Sequence, residues 1–282
     1  VFYGLGTGAT ILSAQYWGKK DLQAIQVIEG IALRFSLLIA FAFSACALLI
    51  PDKMMQLFTT DTELIRIGAD YLRVMSVTYL CWAIVEVYLS ILRSIGQVTI
   101  SMALNIVAFS LNILLNAVFI FGLFGAPKLG ATGVAIATAL SRIVELLGCF
   151  LVSMFSKDLK LNLAYLFIRN KVLLKDFIHL SLPALANDIS WSVAFSMYSV
   201  ILGHLGTDAV AANSLVVVVR NFGTVLCFGT ASAGGILLGN VMGENDMERT
   251  KEYASKLIRL TILTGAIGGV IILAITPFVL HF

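Results

Sequence analysis

The feature that most constrains this chain is a series of eight apolar runs, each close to the length at which a helix crosses a bilayer. They occupy residues 1–17, 24–50, 64–92, 98–123, 131–156, 179–203, 209–242 and 253–280. A hydrocarbon layer of about 30 Å takes roughly 20 helical residues. Lipid offers the backbone no hydrogen-bond partner, so a spanning segment must be a helix or part of a closed barrel. None of these runs alternates with the period of two that a barrel strand needs. The expected fold class is therefore all-α, a polytopic membrane protein. Composition agrees: 59% of the residues are apolar and 12% charged, a balance foreign to soluble domains.

The loops between the runs divide by charge. One set carries Lys19 and Lys20, then Arg93, then Lys157, Lys160, Arg169, Lys171 and Lys175, then Arg249 and Lys251. The opposite set offers little beyond Lys53 and Lys128. Basic loops stay on the cytoplasmic side, so the first set is expected there. Cys46, Cys81, Cys149 and Cys227 each sit in a separate apolar run without CxxC or Cys/His spacing, and read as packing residues with no metal. HExxH, GxSxG and Walker patterns are absent, so neither metal hydrolysis, an elbow serine nor ATP-driven pumping has its residues. The chain reads as no enzyme, with no nucleic-acid pattern. Any work it does is expected to draw on an ion gradient.

Two segments repeat one another. "GLGTGATILSAQYWGKKD" from Gly4 to Asp21 is echoed by "GTASAGGILLGNVMGEND" from Gly229 to Asp246. A single offset of 225 positions pairs Gly18 with Gly243, Ile11 with Ile236, Leu12 with Leu237, Asp21 with Asp246 and Arg34 with Arg259. The copies stand six runs apart, the first and the seventh, and an even step makes them point the same way. That predicts two parallel-repeat lobes related by an axis along the membrane normal. It also predicts further helices, one before residue 1 and several after residue 282, for six per lobe. Gly4, Gly6 and Gly8 let another backbone approach, since close packing in lipid depends on small residues. Gly4, Gly8, Gly18 and Gly243 are thus candidates for helix packing or gating.

Several motifs, taken together and in order, resemble the multidrug and toxic compound extrusion (MATE) family. They are "AQYWGKKD" with its echo "GNVMGEND", "ILRSIGQV" ending the fourth helix, "LNILLNAVFIFG" in the fifth, "GATGVAIATALSRIVE" opening the sixth, and "LPALANDISWSVAFSMYSVILGHLGTDAVAA" in the seventh. The resemblance implies residues 1–156 as helices two to six of an N-lobe, 157–178 as a cytoplasmic linker, and 179–282 as helices seven to nine. It implies secondary antiport, with Na⁺ or H⁺ entering as the coupling ion while an organic, often cationic, compound leaves. No further cofactor is expected, and the partners are small organic cations and the lipid bilayer. A monomer in a prokaryotic plasma membrane is the expected setting. The nearest rival is a flippase of lipid-linked saccharides with the same architecture. The family's first-helix carboxylate has no counterpart in this chain, and its seventh-helix acid falls where this chain has Trp191.

Polar residues inside the runs are the candidate sites, because a charge at the bilayer centre needs a partner or a cavity. Asp188, between Asn187 and Ser190 and after Pro183, offers hard oxygens for Na⁺ or a place for H⁺, with Pro183 read as opening its helix. Glu86 is the second coupling candidate. At seven residues from Arg93 it lies beyond a local pair, which leaves Arg142 or Arg220 as its expected partner. Arg142 and Glu145 stand three apart and are expected to neutralise each other. Arg220 has no partner identifiable from sequence. Asn112 and Asn116 share a helix face, as cavity lining or interhelical bonding groups. Trp82, Trp191, Phe195 and Tyr198 are among the rings available to a flat cation.

Overall fold

A computed structural model of the chain describes residues 2–58, 61–125, 127–156, 159–161, 163–205 and 207–279. The basic residue Lys157 lies outside them. The helices are α1 (Phe2–Gly18), α2 (Leu22–Leu49), the short α3 (Pro51–Gln56), α4 (Thr62–Ser94), α5 (Val98–Phe121), α6 (Gly130–Phe155), α7 (Lys171–Leu205), α8 (Thr207–Gly243) and α9 (Met247–Val279). Each expected run is met by one long helix. Among the described residues, six helices are long and apolar enough to cross a membrane: α2, α4, α5, α6, α8 and α9.

Local chemistry sets the helix ends. Asp61 accepts from the Glu63 and Leu64 amides at 2.8 and 3.3 Å and so caps α4. Gly96 ends α4 with φ 83°, and the Gln97 amide reaches back to the Leu92 carbonyl. The repeated turn has the same design in both copies. Lys20 and Asn245, 225 positions apart, both take left-handed φ of 59° and 63°. The Lys19 and Lys20 amides donate to the Gln15 and Trp17 carbonyls, and the Glu244 and Asn245 amides donate to Asn240 and Met242. Each of those pairs also stands 225 apart, so the sequence echo is a structural repeat. Asp246 then caps α9 through the Arg249 amide at 2.9 Å.

The chain forms two compact units. The first comprises Val1–Ser13 and Leu22–Leu185. Its centre is the second half of α4, where Ala83, Val85, Val87, Tyr88, Leu89, Ile91 and Leu92 are buried. α2 and α6 pack on α4, and α5 packs on α6. The α6 face that is buried repeats every four residues: Gly133, Ala137, Ser141, Glu145, Cys149 and Ser153. Five of the six are small, which brings the neighbouring backbone close and leaves Glu145 as the exception. Gly8 of α1 meets Ser181 of α7 so tightly that a Cβ there would strike it, and Gly6 meets Ser90 of α4. Gly4 is buried in the same helix.

The second unit comprises Ala14–Asp21 and Ala186–Phe282. Here α8 and α9 cross at a glycine pair, a Cβ on Gly223 falling 2.9 Å from the Gly268 carbonyl oxygen. At the end of α8, a Cβ on Gly18 would strike the Asn240 carbonyl, and one on Gly243 would strike the Gln15 carbonyl.

One feature differs from the sequence reading. Pro183 lies inside α7 and does not open it, because the helix starts twelve residues earlier at Lys171. The cause is Asn170, whose side-chain oxygen accepts from the Val172 and Leu173 amides, both at 3.1 Å, and nucleates the helix. The segment between α6 and α7 is partly ordered into a 3₁₀ turn, Leu163–Phe167, that packs on α2.

Candidate functional site

In the first unit, polar side chains collect along the seam between α5 and α6. Asn116 and Asn112 sit one turn apart on α5, and the Asn116 amide donates to Asn112 Oδ1 at 3.0 Å. The Asn112 amide in turn donates to Thr138 Oγ1 on α6 at 3.3 Å. Thr138 gives its own proton to the Val134 carbonyl at 2.9 Å, so its oxygen is free to face the seam as an acceptor. Asn116 Oδ1 is buried and accepts no hydrogen bond. A buried acceptor left in that state costs about 1–3 kcal/mol, which a bound cation or donor would offset.

The same seam opens into a cavity of about 140 Å³ whose polar lining includes Asn105, Asn112, Thr138, Ser141, Arg142 and Glu145. Glu145 is buried on the small-residue face of α6, and Arg142, one turn back, donates to its Oε2 at 2.6 Å. The mutual neutralisation expected of this pair is present. Glu145 Oε1 is also buried without a hydrogen bond. Arg142 lies over the Trp82 ring of α4, 5.3 Å from its centroid, which fixes the guanidinium between a carboxylate and an aromatic face.

Glu86 departs from the sequence reading. Its Oε1 pairs with Arg93 of the same helix at 3.1 Å, not with Arg142 or Arg220. Residues seven apart return to one face of a helix about 10.5 Å along it. Two long side chains span that gap, with Ser90 between them: Arg93 donates to Ser90 Oγ at 2.9 Å and Ser90 donates to Glu86 at 3.3 Å. Thr10 of α1 bonds the Ser90 carbonyl at 3.3 Å, so α1 rests on this pair.

In the second unit, Asp188, Trp191 and Phe195 follow one face of α7 at helical spacing, with Asp188 half-buried and Asn187 exposed. Trp191 and Phe195 stack with centroids 5.3 Å apart and planes 18° from parallel. Arg220 of α8, whose partner the sequence left open, lies 4.6 Å over the Phe195 ring. The face therefore carries a carboxylate and two stacked rings, one of them already covered by the Arg220 guanidinium.

Sequence reasoning missed Thr138 and Ser141. Ser141 was legible as a polar member of the every-fourth-residue face of α6 that holds Glu145, and Thr138 as the residue one turn before Arg142 on the adjoining row.

A comparison with protein families matches the MatE model over residues 1–118 and 183–282. The chain is 29% identical to a probable multidrug resistance protein, YoeA, of Bacillus subtilis (strain 168), over 98% of this chain and 59% of that protein. It is 28% identical to a probable multidrug resistance protein, NorM, of Mannheimia succiniciproducens, over 86% of this chain and 52% of that protein. The chain thus spans little more than half the length of these relatives. Among solved structures, an outward-facing multidrug resistance MATE family transporter of the MOP superfamily superposes with a TM-score of 0.81 at 23% identity, over 93% of this chain and 58% of that one. That likeness establishes a shared fold, and the family match over most of the sequence establishes ancestry. The chain is part of a multi-pass, all-helical membrane protein with an internal repeat, and it belongs to the MatE family.

Proposed function

We propose that the protein to which this chain belongs is a cation-coupled antiporter that exports organic, often cationic, compounds across a bacterial plasma membrane. The observation that carries the reading is the row of acceptor oxygens at the α5–α6 seam, ending in the buried and unbonded Asn116 Oδ1. Amide and hydroxyl oxygens are hard ligands for Na⁺, and they equally receive the donors of a protonated group; Arg142, which lines the same cavity, is held by Glu145. Asp188, beside the stacked Trp191 and Phe195, supplies the complementary chemistry for an organic cation. The names of the relatives, multidrug resistance proteins, favour this over a flippase of lipid-linked saccharides. Antiport follows if ion and substrate each stabilise an arrangement that the other disfavours, so that one leaves as the other binds.

The test is efflux of ethidium from vesicles carrying the full-length protein under an imposed Na⁺ or pH gradient, with Asn116→Leu and Asp188→Asn beside wild type. The expected result is that Asn116→Leu, folded and expressed as wild type, loses the stimulation by the ion, while Asp188→Asn loses ethidium transport. Ion stimulation undiminished in Asn116→Leu would remove the seam from the account.

A further inference from the structure

A second site lies away from the seam, on the outer face of α2. Arg34 is held there by two backbone carbonyls: Nε donates to Gly30 at 3.4 Å and one terminal nitrogen donates to Ile168 at 2.7 Å. Ile168 directly follows the 3₁₀ turn Leu163–Phe167, and the backbone of Tyr165 lies against Gly30, where a Cβ would strike it. Arg34 and Arg169 face a common groove of about 620 Å³. Among the described residues neither guanidinium meets a carboxylate. The remaining lining is apolar, with Leu38 and Phe41 of α2 at 68% and 67% exposure and Phe167 of the turn at 84%.

Depth follows from the backbone. Irregular chain exposed to lipid does not sit in hydrocarbon, so the segment from Tyr165 to Arg169 marks head-group level on this face, at the height of Gly30 and Arg34. Leu38 and Phe41 are one and two turns further along α2, up to about 10 Å towards the bilayer centre. The groove therefore has two fixed positive charges at head-group level and an apolar floor below them. The loop charges place this end of α2 in the cytoplasmic leaflet, where anionic lipids are enriched.

We propose that this groove binds an anionic phospholipid of the cytoplasmic leaflet, its phosphate between Arg34 and Arg169 and an acyl chain along Leu38 and Phe41. A guanidinium already anchored by two carbonyls loses little freedom on meeting a phosphate, and the planar fork suits phosphate oxygens better than an ammonium would. The lipid bridges α2 to the segment that leads into α7, so its occupancy stabilises that connection. The site is independent of what the protein transports.

The full-length protein in neutral detergent tests the assignment. Its unfolding temperature is measured with phosphatidylglycerol, with phosphatidylcholine of the same acyl chains, and with glycerol 3-phosphate; bound lipid is counted by native mass spectrometry. Phosphatidylglycerol is expected to raise the midpoint by a few degrees and to remain as one retained adduct, and the other two ligands to do neither. Arg34→Gln with Arg169→Gln should abolish both effects, while Lys251→Gln leaves them intact. Because Arg34 also holds the turn in place, Arg169→Gln alone is the decisive variant: among the described residues its guanidinium makes no hydrogen bond or ion pair, and it should lose at least half of the shift. Equal shifts with phosphatidylcholine, a full shift in Arg169→Gln, or reproduction of the effect by glycerol 3-phosphate would each overturn the proposal.

Discussion

Gly18 and Gly243 occupy equivalent places in the internal repeat and pack against each other's helix in the same way. A Cβ on Gly18 would collide with the carbonyl of Asn240, and a Cβ on Gly243 with the carbonyl of Gln15. Both contacts join residues that the 225-position offset exchanges, so the ends of α1 and α8 meet about a local two-fold axis. Such isologous contacts use the same surface twice. At its closing glycine, each copy of the repeated motif is the other's packing partner.

Substitution at either glycine should therefore cost the same. Gly18→Val and Gly243→Val each force backbone apart at a site with no flexible side chain to yield. Each is expected to destabilise by about 1–3 kcal/mol, the usual cost of overpacking. Thermal unfolding of the full-length protein checks this, and a large effect at one glycine with none at the other would contradict the symmetric contact.

The turn beside each glycine makes a second prediction. Lys20 and Asn245 hold φ of 59° and 63°, a region costly for most side chains and easier for asparagine. Lys20→Gly should stabilise by up to about 1 kcal/mol, the relief of strain exceeding the added freedom of the unfolded chain. Asn245→Gly should change the midpoint less. A drop in stability for Lys20→Gly would show that the lysine side chain contributes more than its backbone costs.

Glu86 and Arg93 should behave as a unit. Their side chains are 17% and 27% exposed, so removing one strands the other in a poorly solvated place. Glu86→Gln and Arg93→Gln singly are expected to cost more together, when summed, than the double variant does. A double-mutant cycle on unfolding stability should give a coupling of about 1–3 kcal/mol. Additive effects would mean that the two side chains do not meet in the folded protein.

Glu29 is the opposite case, an acid with no cation beside it. It lies on α2 at 3% exposure, its Oε1 buried and unbonded, and no basic group stands within ion-pair distance among the described residues. Glu29→Gln keeps the shape and removes the possibility of a buried charge, which is expensive in such a place. Stability equal to or above wild type is expected, with expression unchanged. A marked loss of stability in Glu29→Gln would reveal a role that needs the carboxyl group itself.

Much of this architecture is legible in the sequence because its causes are local. Apolar length marks the helices, and a fixed offset marks the repeat down to the capping Asp246. What stayed hidden depends on reach and on neighbours. Glu86 and Arg93 are two long side chains that span seven residues with Ser90 between them, a reach that the usual spacing of four does not mark. The burial of Glu29, near the start of its run, comes from other elements and leaves no mark in local sequence. Arg34 is bonded to the Ile168 carbonyl, a partner 134 residues away that no local spacing marks. Pro183 suggested a helix start because proline commonly opens helices, yet Asn170 caps the helix earlier. The Asn112–Asn116 pair was visible on its own face, whereas Thr138, which completes it, comes from the facing helix.

The central claim is that ion and organic cation move in opposite directions through one protein, and it is tested most directly by watching the ion. Vesicles carrying the full-length protein are loaded with a Na⁺- or pH-sensitive dye, and ethidium is added on one side without any imposed ion gradient. Antiport predicts that ethidium entry drives Na⁺ or H⁺ out of the lumen, and that Asn116→Leu abolishes the ion movement. Ethidium crossing at the wild-type rate with neither ion moving would contradict the account.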